Sequence, residues 1–163
     1  MTLYSEFAIL APVPQEHITS GQDIAAKEGF VAFGSRKWEL FRKIDGQREG
    51  KLVPVLIYPS HEDITAKTNF VVSWVGLYIG SEKSNNGTHP QGMKHRPPTT
   101  AQYESDNKGY WAVFWHVDKL LELPAAQRLL ISDLQTVKNC CRKNAPPRGP
   151  ELVAIPSTIE FPE

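Results

Sequence analysis

Several things are scarce in this chain of 163 residues, and each scarcity narrows what it can be. Cysteine occurs twice, as the neighbours Cys140 and Cys141, and adjacent residues rarely reach disulfide geometry. A reducing compartment is therefore expected, and a chain of this length can bury a core without covalent staples. No apolar run approaches the roughly 20 residues needed to cross a bilayer. The opening stretch 1–6 also lacks a basic region followed by an apolar one, so no membrane partner and a cytoplasmic location are expected. Net charge is missing too, with 18 basic residues against 18 acidic ones. That excludes the global electrostatic pull of a duplex-wrapping protein, while leaving room for a local basic patch.

Motifs of chemistry are equally scarce. The chain holds no Gly-x-Ser-x-Gly, no Gly-x-x-x-x-Gly-Lys, and no Gly-x-Gly-x-x-Gly after a strand. His89 and His95 lie in a polar stretch without a cysteine pair or a His-Glu-x-x-His spacing beside them, so they are expected to be solvent-exposed and no metal or other cofactor is expected. Cys140 and Cys141 are read as structural.

What the chain does have is two segments dense in β-branched and aromatic residues, 70–80 and 110–118. These read as adjacent central strands. Alternation puts Val72, Trp74, Gly76, Tyr78 and Gly80 on one face of the first, and Trp111, Val113, Trp115 and Val117 on one face of the second. A small residue between two rings is expected to leave a hollow.

Around them, residues 3–11 read as a strand, followed by a helix capped by Thr19 or Ser20 and ended by Gly29. Residues 30–35 form a short strand, and Leu40, Phe41 and Ile44 recur at helical spacing beside the basic Arg36, Lys37, Arg42 and Lys43. The strand at 51–58 contains Pro54, which predicts an edge or a bulge. Residues 81–107 read as a long flexible loop, 125–139 as a helix with Leu129, Leu130, Leu134 and Val137 on one stripe, 152–155 as a last short strand, and the chain from 145 as an irregular tail. The expected class is α+β: one domain over residues 1–163, a mixed sheet curled into an open barrel with helices packed outside.

Phe33-Gly34-Ser35, Trp38 opening a helix, Ile57-Tyr58-Pro59-Ser60 closing a strand, and Val75-Gly76-Leu77-Tyr78-Ile79-Gly80 before a loop and an aromatic strand together resemble the PUA-like superfamily, which includes PUA, ASCH, EVE and YTH domains. The resemblance implies a PUA-like pseudobarrel whose mouth holds nucleic acid, and in the EVE and YTH branches a single modified base in an aromatic cavity. It would place Phe33, Ser35 and Trp38 at the mouth, Tyr58 and Ser60 at a strand end, and Trp74 on the pocket side.

The chemistry stands apart from the family. A base stacks on an aromatic ring for about 1–3 kcal/mol, and its polar edges need donors and acceptors within the pocket. The expected ligand-binding residues are thus Phe33, Trp38, Tyr58, Trp74 and Tyr78 for stacking, with Ser35 and Ser60 for selection. Arg36, Lys37, Lys94 and Arg96 are the expected phosphate contacts. The partner would be single-stranded or locally flipped RNA or DNA, bound by a module rather than turned over by an enzyme. Two other readings stand beside this one. One is a small metal-assisted hydrolase or nuclease using His61, Glu62, Asp63 or the loop histidines, and the other is a protein-interaction domain that uses the long loop.

Overall fold

The computed structural model describes residues 4–60, 71–135, 149–159 and 161. The chain is α+β, with a six-stranded mixed sheet curled into a half-barrel and two helices. Strand β1 (Phe7–Pro14) leads into helix α1 (Gln15–Glu28), strand β2 (Val31–Ser35) and helix α2 (Trp38–Gln47). Strand β3 (Val53–Ser60), the two-residue β4 (Val71–Val72) and the long β5 (Trp74–Lys83) follow, and an excursion returns as β6 (Val113–Glu122). The two-residue β7 (Leu129–Leu130) and β8 (Glu151–Ala154) complete the strands among the described residues. The sheet order is β2-β6-β5-β3-β1-β8, with β1 parallel to β3 and the other pairs antiparallel. No helix among the described residues is long and apolar enough to cross a membrane.

The two aromatic strands are neighbours, as their composition indicates, and their ladder runs from Trp74↔Glu122 to Lys83↔Val113. One sheet face carries Ile9, Val55, Ile57, Trp74, Tyr78, Trp115 and Val117, closed over by Ile18 of α1 and by Phe41 and Ile44 of α2. The other face carries Ala8, Leu10, Leu56, Tyr58 and Val75, packed under Leu123, Ile131, Leu134 and Ile159. Burying two apolar layers at about 25 cal/mol per Å² is what fixes the strand register, since a slip of one residue would swap the faces.

Three local expectations are corrected. Helix α1 begins directly after Pro14, a turn before Thr19, although Gly29 does close it in the left-handed conformation, donating its amide to Ala25 O at 3.0 Å. Pro54 sits in an interior strand. The ladder with β1 registers only from Ile9↔Val55 onward, so the missing amide coincides with that ladder's end. Residues 125–135 are not helical. They form short 3₁₀ turns at Ala125–Gln127 and Ile131–Asp133 around β7, because Leu129 pairs with Val72 and Ile131 and Leu134 are drawn separately into the second apolar layer. The rest of that expected helix, with Cys140 and Cys141, lies outside the described residues.

Residues 84–112 fold back over the free edge of β2. Ala32 donates its amide to His95 O at 2.7 Å, and Arg96 Nη1 donates to Ala32 O at 2.7 Å. An edge strand's exposed backbone groups are thereby paired. The excursion is also bonded internally: Thr88 Oγ1 donates to Asn107 O, Ser84 Oγ to Trp111 O, and Asn107 Nδ2 to Thr100 O.

Candidate ligand cleft and a buried histidine pair

A cleft of about 830 Å³ opens between the start of α2, the end of β5 and the run into β6. Trp38 and Trp111 border it, with Arg42, Asp45, Ser81 and Asn86 among its polar lining. Trp38 is 49% exposed in the first turn of α2, where its neighbours Arg36, Lys37 and Glu39 give it no apolar layer to enter. Trp111 is held from behind. Its Nε1 donates to Asp106 Oδ1 at 3.2 Å, Tyr110 meets its ring edge-on at 4.5 Å, and Arg36 lies over Tyr110 at 5.3 Å.

Gly34 is the reason the Trp111 ring can lie there. A Cβ on Gly34 would come within 2.4 Å of the ring's Cγ and Cδ1. Gly87 plays a similar part on the opposite lip, where a Cβ would meet Gly109 N at 2.0 Å.

Asp45 contributes the cleft's carboxylate. Its Oδ1 accepts from Tyr78 Oη at 2.8 Å and from Arg48 Nε at 3.0 Å, and its Oδ2 accepts from Ser81 Oγ at 2.8 Å. A carboxylate oxygen can accept two hydrogen bonds, so with the donors among the described residues Oδ1 is filled and Oδ2 has capacity for one more. The Tyr78 hydroxyl is pushed well above its ordinary pKa, chiefly by burial, and acts as a fixed donor.

The expected site residues divide. Trp38 is at the cleft, and Arg36 supports it through Tyr110. Phe33, Tyr58, Trp74 and Tyr78 are instead buried in the two apolar layers. Phe41 stacks on Trp115 at 5.6 Å, and Phe33 reaches the same ring at 5.2 Å. The hollow expected at Gly76 is filled, since a Cβ there would come within 2.6 Å of Val117 Cγ1. The indole nitrogens of Trp74 and Trp115 are buried with no hydrogen-bond partner among the described residues.

Ser35 is buried and accepts the Lys37 amide at 3.0 Å, turning the chain into α2. Ser60 borders a different cleft of about 510 Å³, with His17, Tyr103 and Asp106. Lys37 Nζ donates to Pro150 O at 2.9 Å, and Lys94 faces Glu28 at 4.0 Å. Arg96 is an internal strut, only 2% exposed, whose guanidinium donates to Ala32 O, Asp106 O and Asn107 Oδ1. It cannot reach a phosphate from there. His61, Glu62 and Asp63 lie outside the described residues.

The loop histidines are the reverse of the expectation. His89 and His95 are buried beside His116 of β6. Phe30 stacks against His95 at 3.9 Å and against His116 at 4.2 Å. His89 Nε2 lies 3.1 Å from His116 Nε2 and 3.4 Å from Glu82 Oε2. Burial, then the neighbouring cationic forms, hold His89 and His116 down to about 4, so both rings are neutral near pH 7. Asp118, two residues on from His116, accepts the Lys119 amide on its Oδ1 at 2.7 Å.

Sequence reasoning missed Trp111, Asp45 and Ser81 as cleft residues. The signal for Trp111 was available in Gly34, since a glycine inside a strand marks a close approach. No family model, curated protein or solved structure matches this chain.

Proposed function

We propose that the cleft binds a planar, hydrogen-bonding ring, and that the ligand is a nucleobase of single-stranded or locally opened RNA or DNA. The reading keeps the PUA-like resemblance as its expectation of ancestry and moves the base from the inner rings to the rim. Its main support is one observation: a half-exposed Trp38 and a backed Trp111 border the same cleft as a carboxylate with an acceptor direction left. Indoles grip the π-face, and Asp45 Oδ2 takes an N–H from the base edge. A base presenting an amino or imino donor is therefore favoured over one presenting only acceptors. Arg42 borders the cleft and Lys83 joins it there, so the backbone phosphates have cations beside the base.

The test is saturable quenching of tryptophan fluorescence by short single-stranded oligonucleotides, with and without base modifications. Trp38→Ala should weaken binding by about 1–3 kcal/mol, roughly five- to 150-fold, with little change in stability because the ring is half in solvent. Asp45→Asn should reduce discrimination between donor-edge and acceptor-edge bases. Unchanged affinity in Trp38→Ala, or no saturable quenching with any oligonucleotide, would end the proposal.

A further inference from the structure

On the sheet face away from the cleft, three lone-pair donors converge on one point. Glu82 of β5, His116 of β6 and His89 of the excursion place one ligand atom each within 4.8 Å of one another. His89 accepts the Gln91 amide on Nδ1 at 3.1 Å, so in its neutral form the ring proton is on Nε2. That single proton faces two acceptors, His116 Nε2 at 3.1 Å and Glu82 Oε2 at 3.4 Å. It cannot satisfy both well. Glu82 Oε2 is accordingly buried with no hydrogen-bond partner among the described residues, a costly state for a carboxylate oxygen.

We infer that His89 Nε2, His116 Nε2 and Glu82 Oε2 form a binding site for a borderline divalent metal ion, with Zn²⁺ the fitting chemistry. Two imidazoles and one carboxylate suit zinc and its neighbours rather than magnesium or calcium, which take oxygen ligands. Zn–N bonds of about 2.0–2.1 Å at a tetrahedral centre hold two nitrogens roughly 3.3 Å apart, close to the 3.1 Å between these rings. The carboxylate closes on the ion by rotating, since the Glu82 side chain as a whole is 42% exposed.

Metal entry replaces the shared proton. His89 then ligates through Nε2 and carries its proton on Nδ1, so its charge is unchanged and the Gln91 amide must turn away. Gln91 is exposed in a run of turns, where that adjustment is small. The ion would staple the excursion to β5 and β6, whatever occupies the cleft.

The experiment uses the full chain, first stripped with a chelator. Zn²⁺ should bind one per chain in equilibrium dialysis and raise the thermal midpoint, and Co²⁺ should give visible absorption of a low-coordinate nitrogen and oxygen site. In amide NMR spectra, Gln91 should shift with the metal. Glu82→Gln keeps the shape and the fold and should lower zinc affinity about tenfold or more, and His89→Gln should abolish the cobalt bands. If His89→Gln fails to fold, Glu82→Gln decides alone. Failure to take up Zn²⁺ near stoichiometry, or Glu82→Gln binding as tightly as the parent chain, overturns the inference.

Discussion

Replacing Gly34 by alanine tests the cleft wall with one methyl group. The added Cβ would lie 2.4 Å from two carbons of the Trp111 ring and 2.5 Å from its nitrogen. Carbon atoms prefer about 3.5–4.0 Å, so the indole must retreat by about 1 Å or more. Behind it are the bond to Asp106 and the edge contact with Tyr110, worth about 0.5–1.5 kcal/mol each. Overpacking elsewhere costs about 1–3 kcal/mol, and the stiffer unfolded chain returns about 0.4–1 kcal/mol. A net loss of roughly 1–3 kcal/mol is expected. Gly46→Ala is the matched control, because nothing lies within 4 Å of its Cβ position inside α2. That variant should gain about 0.5–1 kcal/mol from helix propensity. Urea denaturation of both, followed by far-ultraviolet circular dichroism, gives the comparison. Since the ring's open side is the cleft, Gly34→Ala should also weaken whatever binds there. A Gly34→Ala chain as stable as the parent would refute the packing of Trp111 on β2.

Other perturbations follow from the same contacts. Arg96→Met should cost about 2–5 kcal/mol in urea denaturation, because three buried or half-buried acceptors lose a charged donor and the β2 edge loses its cover; Arg96→Lys should rescue little, since one ammonium cannot reproduce the fork. Gly29→Ala should cost about 1 kcal/mol, because its φ of 92° at the end of α1 strains any side chain, as a thermal melt would report. In metal-free protein, stability should fall with pH. Above about 6.5 neither folded nor unfolded chain protonates His89 or His116, whereas between about 6.5 and 4 only the unfolded chain does, and below about 4 these groups add no further slope. One such group is worth roughly 3 kcal/mol over that window, and the two share a proton site, so their sum is smaller than twice that. Urea titrations from pH 7.5 to 4 should show the slope in the parent chain and a shallower one in His116→Gln; equal slopes would refute the burial of a neutral pair.

How much of this was legible depended on the range of the interaction that decides each position. The pairing of β5 with β6, the inward row Val113, Trp115 and Val117, the Gly29 stop and the burial of Phe41 and Ile44 all follow from local alternation or helical spacing. The contents of a hollow do not. Gly76 between Trp74 and Tyr78 reads as a gap along one strand, but the neighbouring strand delivers Val117 into it. The polar composition of 81–107 reads as solvated chain, yet His89, His95 and Arg96 are buried, because each finds a partner across the sheet edge. A His-x-x-His spacing announces itself on one helix. A pair 27 positions apart on an excursion and a strand does not.

The alternation of β5 explains why one short segment serves two sites. Ser81 and Lys83 point to the cleft, while Glu82 between them points to the histidine pair. The excursion repeats the arrangement, with Asn86 and Gly87 on the cleft lip and His89 a few residues on at the other face. A strand is one residue thick, so a change that moves Glu82 along its axis also moves Ser81, and Ser81 Oγ holds the second oxygen of Asp45. Whatever fixes the outer cluster therefore also steadies Ser81, one of the three donors that orient the Asp45 carboxylate. The two faces should respond together: a change at Glu82, by substitution or acid, should reach Ser81 first and Asp45 only through it, because Tyr78 and Arg48 keep hold of the other carboxylate oxygen.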